Sequence, residues 1–418
     1  MKSTFASLVP ELRTQFPAMA RTHLGQPVAY LDGPAGTQVP QRVIQAMTRY
    51  MVECNANHGG AFPTAVESDA RLDLAHAKLA TFVGASDPDE VVFGANMTSL
   101  TFAFSLAVAR TWSTGDEVIV TRLDHDANVT PWVLAARDAG ATVRYVEVDP
   151  ATCTLDMRDF QDKLSPRTRL VAVGGASNAV GTINPIRDVI QAARRHGALV
   201  FVDAVHLAAH RRLQVKQWGC DVLVCSPYKF FGPHSGVLWG RRDLLEELEA
   251  YKVRPATNAL PGKWMTGTQS HEAICGAAAA VDYLASIGQT VTGQVDLELA
   301  PALDAAFEAI TQYETELADR FLRGLAELPA WKNWGLGREQ GAQERVSTFS
   351  ITHSSLPPVD VAAKLGEMGL FAWHGNYYAL QLSELLQREP DGMLRIGLLH
   401  YNTPSEVDRL LDALARLG

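Results

Sequence analysis

One lysine stands apart by its setting. Lys229 follows the apolar run Val222-Leu223-Val224-Cys225, inside Ser226-Pro227-Tyr228-Lys229-Phe230-Phe231-Gly232-Pro233. Loops after sheet strands are where α/β folds display functional groups. An amine among aromatic rings loses its proton more readily, because burial penalises the ammonium, and a neutral amine is what Schiff-base chemistry needs. The competing reading is a lysine that snorkels to solvent from a strand end. Twenty-six residues earlier, Leu199-Val200-Phe201-Val202 ends in Asp203. Burying that carboxylate is costly without a cation. A protonated ring nitrogen would serve and would make the ring an electron sink, whereas capping of the next helix is the plainer alternative. His206 and His210 have i, i+4 spacing but no adjacent Glu and no third ligand in view, so no metal is expected. Gly335-Leu336-Gly337-Arg338-Glu339-Gln340-Gly341 has the wrong final spacing for a dinucleotide fingerprint, does not open a helix after a strand, and is expected to be a surface loop.

Between about residues 90 and 240, short β-rich runs alternate with helical patterns. Val91–Phe93, Glu117–Val120, Ala141–Val148, Leu170–Val173, Leu199–Val202, Val222–Val224 and Val237–Trp239 are the expected strands. Helices are expected over Thr98–Trp112, Asn128–Asp138 and the face Ile186, Val189, Ile190, Ala193. Such alternation builds βαβ units and a mostly parallel sheet. The strand runs lack polar alternation, which suits a sheet covered on both faces. Beyond Gly288 the pattern changes to a long helix, Leu297–Glu327, then Val346–Ile351, a helix near Val359–Met368, Leu394–Leu399 and a last helix, Pro404–Leu417. The expected class is α/β: a large domain over residues 20–285 and a smaller α+β domain over 286–418, joined by 1–19.

These motifs resemble the class V aminotransferase family, enzymes of fold type I that depend on pyridoxal 5′-phosphate (PLP), and most of all its cysteine desulfurase and selenocysteine lyase branch. The resemblance runs in order through Tyr30-Leu31-Asp32, Asp124-His125-Asp126-Ala127-Asn128, Ser177-Asn178-Ala179-Val180-Gly181-Thr182, Asp203-Ala204-Val205-His206, Ser226-Pro227-Tyr228-Lys229 and Tyr401-Asn402-Thr403. It implies that Lys229 holds PLP and shuttles the substrate Cα proton, that Asp203 pairs with the ring nitrogen, and that His125 stacks on the ring and acts in acid/base chemistry. Asn178 would lie near the cofactor O3′ and the substrate. Met97 and Thr98, at a helix start, would cup the phosphate through backbone N–H groups, helped by Ser226 and His206. Tyr228 stands beside the lysine where desulfurases usually carry His. Thr268 matches a segment that reaches the phosphate of a partner subunit, which implies a homodimer with active sites at the interface. Arg395 would grip the substrate α-carboxylate as a two-pronged donor, and His58 would lie near the substrate.

Composition narrows the partners. With 37 basic and 46 acidic residues the net charge is −9, which does not favour nucleic acid. No apolar run approaches the ~20 residues of a spanning helix and the start does not read as a signal peptide, so a cytoplasmic setting away from membranes is expected. Five scattered cysteines offer no disulfide framework. None falls in Gly369–Ala379, where the resemblance would place a desulfurase's mobile-loop cysteine. The expected function is therefore desulfurase-like PLP chemistry on a small α-amino acid, with C–S lyase-type β-elimination and no catalytic cysteine. An aminotransferase or epimerase, or a non-catalytic PLP-fold binding protein, remain the alternatives. Trp373, His374, Tyr377 and Tyr378 read either as pocket wall or as core.

Overall fold

The computed structural model describes residues 5–339, 341 and 344–418. Residues 1–4, part of the stretch read for a leader and of the small domain, lie outside the described residues, as does Gln340 of the glycine motif. The large sheet has seven strands: β1 Val91–Gly94, β2 Glu117–Thr121, β3 Thr142–Val146, β4 Thr168–Gly174, β5 Leu199–Asp203, β6 Val222–Cys225 and β7 Gly236–Gly240, in the order β1-β7-β6-β5-β4-β2-β3. The β6-β5-β4-β2-β3 block is parallel, and β7 runs antiparallel to both β6 and β1. Val237–Trp239 is thus a strand as expected, but it is reached by a short loop from Cys225. A parallel neighbour would need a crossover of a dozen or more residues.

Successive strand residues face opposite sides, and both sides are covered. Val118, Val120, Leu170, Ala172, Phe201, Val222 and Val224 pack beneath α4 (Met97–Ala109) and α5 (Thr130–Ala139). Ile119, Val171, Val173, Val200, Val202 and Leu223 share the opposite core with α1 (Phe5–Thr14), α2 (Gln41–Glu53), α3 (Pro63–Val83), α6 (Ile186–Arg195) and α7 (His271–Thr292). Phe201 is fully buried between Phe104 and Trp132, with ring centroids 5.7 and 4.8 Å away. Phe201→Ala should therefore lower stability by ~3–5 kcal/mol, read as an earlier urea midpoint at unchanged slope. A loss below ~1 kcal/mol would show that this core is not closely packed.

Helix α7 corrects one expectation. It is 22 residues long and apolar enough to cross a membrane by length and composition, despite Glu272 and Asp282. Its most apolar window is 72% buried inside the protein. Gly288 explains the tight seat against α8 (Leu299–Ala326): a Cβ there would fall 1.8 Å from the Ala302 carbonyl oxygen.

A second sheet, antiparallel throughout, contains β8 Trp331–Trp334, β9 Thr348–His353, β10 Trp373–Gly375 and β11 Met393–Gly397 in the order β8-β9-β11-β10. It packs with α8, α9 (Pro358–Glu367) and α10 (Pro404–Leu417), and Val9 of the N-terminal helix joins the same core. The glycine motif follows β8, and its described part is loop with bends and a turn, opening no helix, as expected. The N-terminal segment is tied to this sheet by a bridge between Asp32 and Gly397, and Ala29–Tyr30 pairs with Leu370–Phe371. Those two links place the residue 32–37 loop beside β11.

Candidate active site

A cavity of about 510 Å³ opens at the carboxyl ends of the parallel strands. The chain leaves β2 toward the β3 edge and returns through β4 to build β5 and β6 on the other side. The site therefore straddles a topological switch point, where open α/β sheets bind ligands. Asp124 and His125 follow β2, Asn178 follows β4, Asp203 ends β5, and Ser226, Tyr228 and Lys229 follow β6; all line the cavity. Met97 and Thr98 line it from the start of α4. Gly236 lets β7 lie against that helix start, since a Cβ there would come within 2.4 Å of the Asn96 backbone.

Burial sets the electrostatics. Lys229 donates from Nζ to the Pro34 carbonyl and, at 3.0 Å, to that of Ala35. Desolvation first, and the nearby Arg395 cation second, lower its pKa to about 7, so a substantial share of the amine is uncharged near neutrality. The Asp203 carboxylate accepts the Val205 N–H at 2.8 Å, and its burial raises its pKa to about 6. Asp124 bridges the switch point: it accepts the Gly174 N–H and, at 2.8 Å, the Asn128 amide. Burial and the Asp203 charge raise its pKa to about 7. His125 is pushed down to about 4 by burial and the two cations, and its Nδ1 accepts the Ala127 N–H at 3.0 Å. His206 is held well below its ordinary value by burial, and its Nε2 lies 2.9 Å from Thr348 Oγ1.

The second sheet supplies the facing wall. Arg395 of β11, only 3% exposed, enters the cavity opposite the parallel strands. Its Nη1 donates to the Asn178 carbonyl at 3.1 Å, and its guanidinium carbon lies 4.4 Å from the Tyr377 ring centroid. Trp373, His374, Tyr377 and Tyr378 all line the cavity. Tyr378, 71% exposed, stacks on His125 with centroids 5.4 Å apart. Tyr377 and Tyr378 both have positive φ, 55° and 60°, an uncommon backbone for bulky residues. Asn178 Nδ2 and the Asp126 N–H hold the carbonyls of Tyr377 and Tyr378 respectively.

Two of the expected site residues are not brought to the cavity. His58 is exposed and pairs through Nδ1 with Asp69 at 2.7 Å, and Thr268 is exposed in the loop before α7. His206 and His210 flank a 3₁₀ turn rather than sharing an α-helix face, and His210 pairs with Glu314 at 2.6 Å. The carboxyls of Asp32 and Asp124 carry strong perturbations that the sequence pattern did not single out; the signal available was that Asp32 ends and Asp124 opens a quoted motif.

The family model Aminotransferase class-V matches residues 29–410. The chain belongs to this family. Within it, this class V enzyme is 31% identical to a probable cysteine desulfurase of Synechocystis sp., over 98% of this chain and 95% of the relative. It is likewise 31% identical to a cysteine desulfurase of Klebsiella pneumoniae, over 98% of each. Among solved structures, the cysteine desulfurase CsdA of Escherichia coli superposes with a TM-score of 0.81 at 25% identity, over 98% of both chains. The apo cysteine desulfurase of Thermococcus onnurineus shares the fold, with a TM-score of 0.86 at 24% identity, over 98% of this chain and 97% of that one. The protein is thus a desulfurase-like class V enzyme of fold type I, and its cofactor is PLP. The cavity fits that group: it offers a buried amine of lowered pKa, a buried carboxyl with no ion pair among the described residues, and a helix start, and the buried Asn178 Oδ1 has no hydrogen-bond partner among them.

Proposed function

We propose that this enzyme cleaves a C–S bond by β-elimination in a small α-amino acid, without a cysteine nucleophile. The observation that carries this reading is the cavity wall. No cysteine is among the described residues that line it, and the stretch Trp373–Tyr378 forms its facing side. Cys54, Cys153, Cys220 and Cys225 are buried and Cys275 is half-buried. Burial raises all five thiols, Cys153 and Cys220 to about 12 and Cys275 to about 11, so thiolate is scarce at neutral pH.

Lys229 would hold PLP covalently, Asp203 would face its ring nitrogen, and His125 its ring. The N–H groups of Met97 and Thr98, with Ser226 and His206, would take the phosphate, and Asn178 and Tyr228 would flank it. When bound, PLP supplies an electron sink that makes the substrate Cα proton acidic. Arg395 holds the α-carboxylate and fixes Cα within reach of Lys229. The Lys229 amine accepts the Cα proton, its lowered pKa being matched to proton transfer near neutrality. The wall that carries Tyr377 and Tyr378 bounds the cavity opposite Lys229. Loss of the β-sulfur as thiol and hydrolysis of the remaining fragment give a 2-oxo acid and ammonia. We place this chemistry in a homodimer in the cytoplasm, with Thr268 of each subunit turned toward its neighbour, and divide each chain into a PLP-binding domain over 20–285 and a small domain over 286–418 with 1–19.

Product analysis tests the reading. Pyruvate-type oxo acid with ammonia supports elimination, whereas a new amino acid from an added oxo acid marks transamination. A variant with all five cysteines replaced by Ala or Ser should keep turnover per PLP-loaded subunit within ~3-fold, even if less stable from its smaller core side chains. A persulfide trapped on one cysteine, with activity lost on replacing that residue, would restore a desulfurase.

A further inference from the structure

The motif Tyr30-Leu31-Asp32 has no part in the chemistry above, yet it delivers a carboxylate to the back of Arg395. Asp32 Oδ1 is buried without a hydrogen-bond partner and stands 3.8 Å from Arg395 Nη2. That is charge contact but too long for a hydrogen bond. Arg395 Nε is likewise buried and unpartnered. The guanidinium therefore keeps donors free for an incoming carboxylate, while a second carboxylate already sits at its other side. The backbone fixes this spacing. Asp32 bridges Gly397, two residues beyond Arg395, and its carbonyl accepts the Ala35 and Gly36 N–H groups.

We propose that Asp32 is a positioning residue for Arg395 that becomes neutral when a carboxylate binds there, so that one proton enters with each carboxylate. This rests on the reading of Arg395 as the substrate-carboxylate site and adds how its charge is managed. The charged groups facing Asp32 are Arg395 of β11 and Lys229 of the loop after β6; Tyr377 and Tyr401 approach from the segments after β10 and β11. Burial raises Asp32 to about 6 although both cations pull it down. A ligand carboxylate on Arg395 spends that guanidinium's charge on a second anion, and two carboxylates on one buried cation favour protonation of the weaker-held one. The sign follows from linkage. If the bound state holds Asp32 at a higher pKa than the free state, binding weakens as pH rises above about 6.

The test uses the PLP-loaded enzyme and propionate, a carboxylate that lacks the amine needed to react. Calorimetry at pH 7 in two buffers of different ionisation heat should show uptake of close to one proton per propionate. The Kd should rise by ~10-fold from pH 6 to 7.5. Asp32→Asn keeps the shape and removes the titration, so its Kd should be flat over that range and tighter than the parent's at pH 7.5. A parent Kd that does not change with pH, without proton uptake, overturns the proposal with no variant needed. Full uptake persisting in Asp32→Asn overturns it too, because the proton then belongs to another group. Equal propionate binding by Arg395→Gln overturns the Arg395 reading itself, an outcome separate from the other two.

Discussion

Lys229→Ala should give a folded protein that neither turns over nor retains PLP after borohydride treatment. In the parent, reduction should fix the cofactor to the peptide that contains Lys229, and mass spectrometry reads this without any substrate. Activity should fall by ~10²–10⁴-fold from the lost base alone, and further because the covalent tether goes with it. The fold should survive because Lys229 sits half-buried at the end of a single 3₁₀ turn, Pro227–Lys229. Its removal leaves only the Pro34 and Ala35 carbonyls to be rehydrated, at the wall of a cavity open to water. Near-parent turnover by the folded variant, or attachment of PLP to another lysine, would sink the assignment. The lowered pKa gives a second check on the cofactor-free protein. An amine-reactive acylating reagent at pH 7.5 should modify Lys229 ahead of lysines near their ordinary value, and its rate should fall as pH drops through about 7.

The sequence carried most of this site for a physical reason. A polar residue that interrupts or ends an apolar strand run is expensive, so Asp203 after Leu199–Val202 and Arg395 inside Leu394–Leu398 announce themselves against their neighbours. The same contrast made most strands of the large sheet legible, since runs buried on both faces leave little ambiguity; β3, half exposed at the sheet edge, was read from its β-forming residues instead. Pro404–Leu417 was readable to the residue because Thr403 and Glu406 form a capping box that marks the start. Other features depend on partners far away in the chain. The perturbation of Asp32 exists only because β11 brings Arg395 beside it, and that of Asp124 only because β5 brings Asp203. Strands β8 and β10 were missed because four and three residues are too few to show a period of two. The direction of β7 was legible in principle from the short Cys225-to-Gly236 connection, but alternation of strand and helix elsewhere suggested a parallel neighbour. Helix α7 escaped notice as a long apolar segment because Asp282 and Ser286 interrupt it after residues 273–281.

Asp203→Asn should leave PLP bound yet slow exchange of the substrate Cα proton by ~100-fold or more, the size of effect that removal of one preorganised charge partner has in other active sites. Asparagine keeps the shape of the side chain and can still accept the Val205 N–H that Asp203 accepts at 2.8 Å. What it removes is the negative charge that would hold the ring nitrogen protonated, and an uncharged ring is a poorer electron sink. Cα–H exchange, followed by NMR in deuterated buffer, isolates this step from product release; unchanged exchange would refute the role. The same substitution should act in the opposite direction on the cofactor-free protein. Burial raises Asp203 to about 6 against an ordinary 3.8, so the unfolded chain ionises first and the parent loses stability as pH rises between those values. Removing the carboxylate should therefore stabilise the cofactor-free fold at pH 7, and the gain should shrink as pH falls toward 3.8 and vanish well below it, where both states are neutral. Asp124, raised by the Asp203 charge, should be relieved as well and should titrate at a lower pH in the variant. A buried carboxylate that costs stability in the empty protein and accelerates proton transfer in the loaded one is the pattern expected of a group kept for its charge. A variant that lost cofactor-free stability at pH 7 would mean that Asp203 serves the fold first.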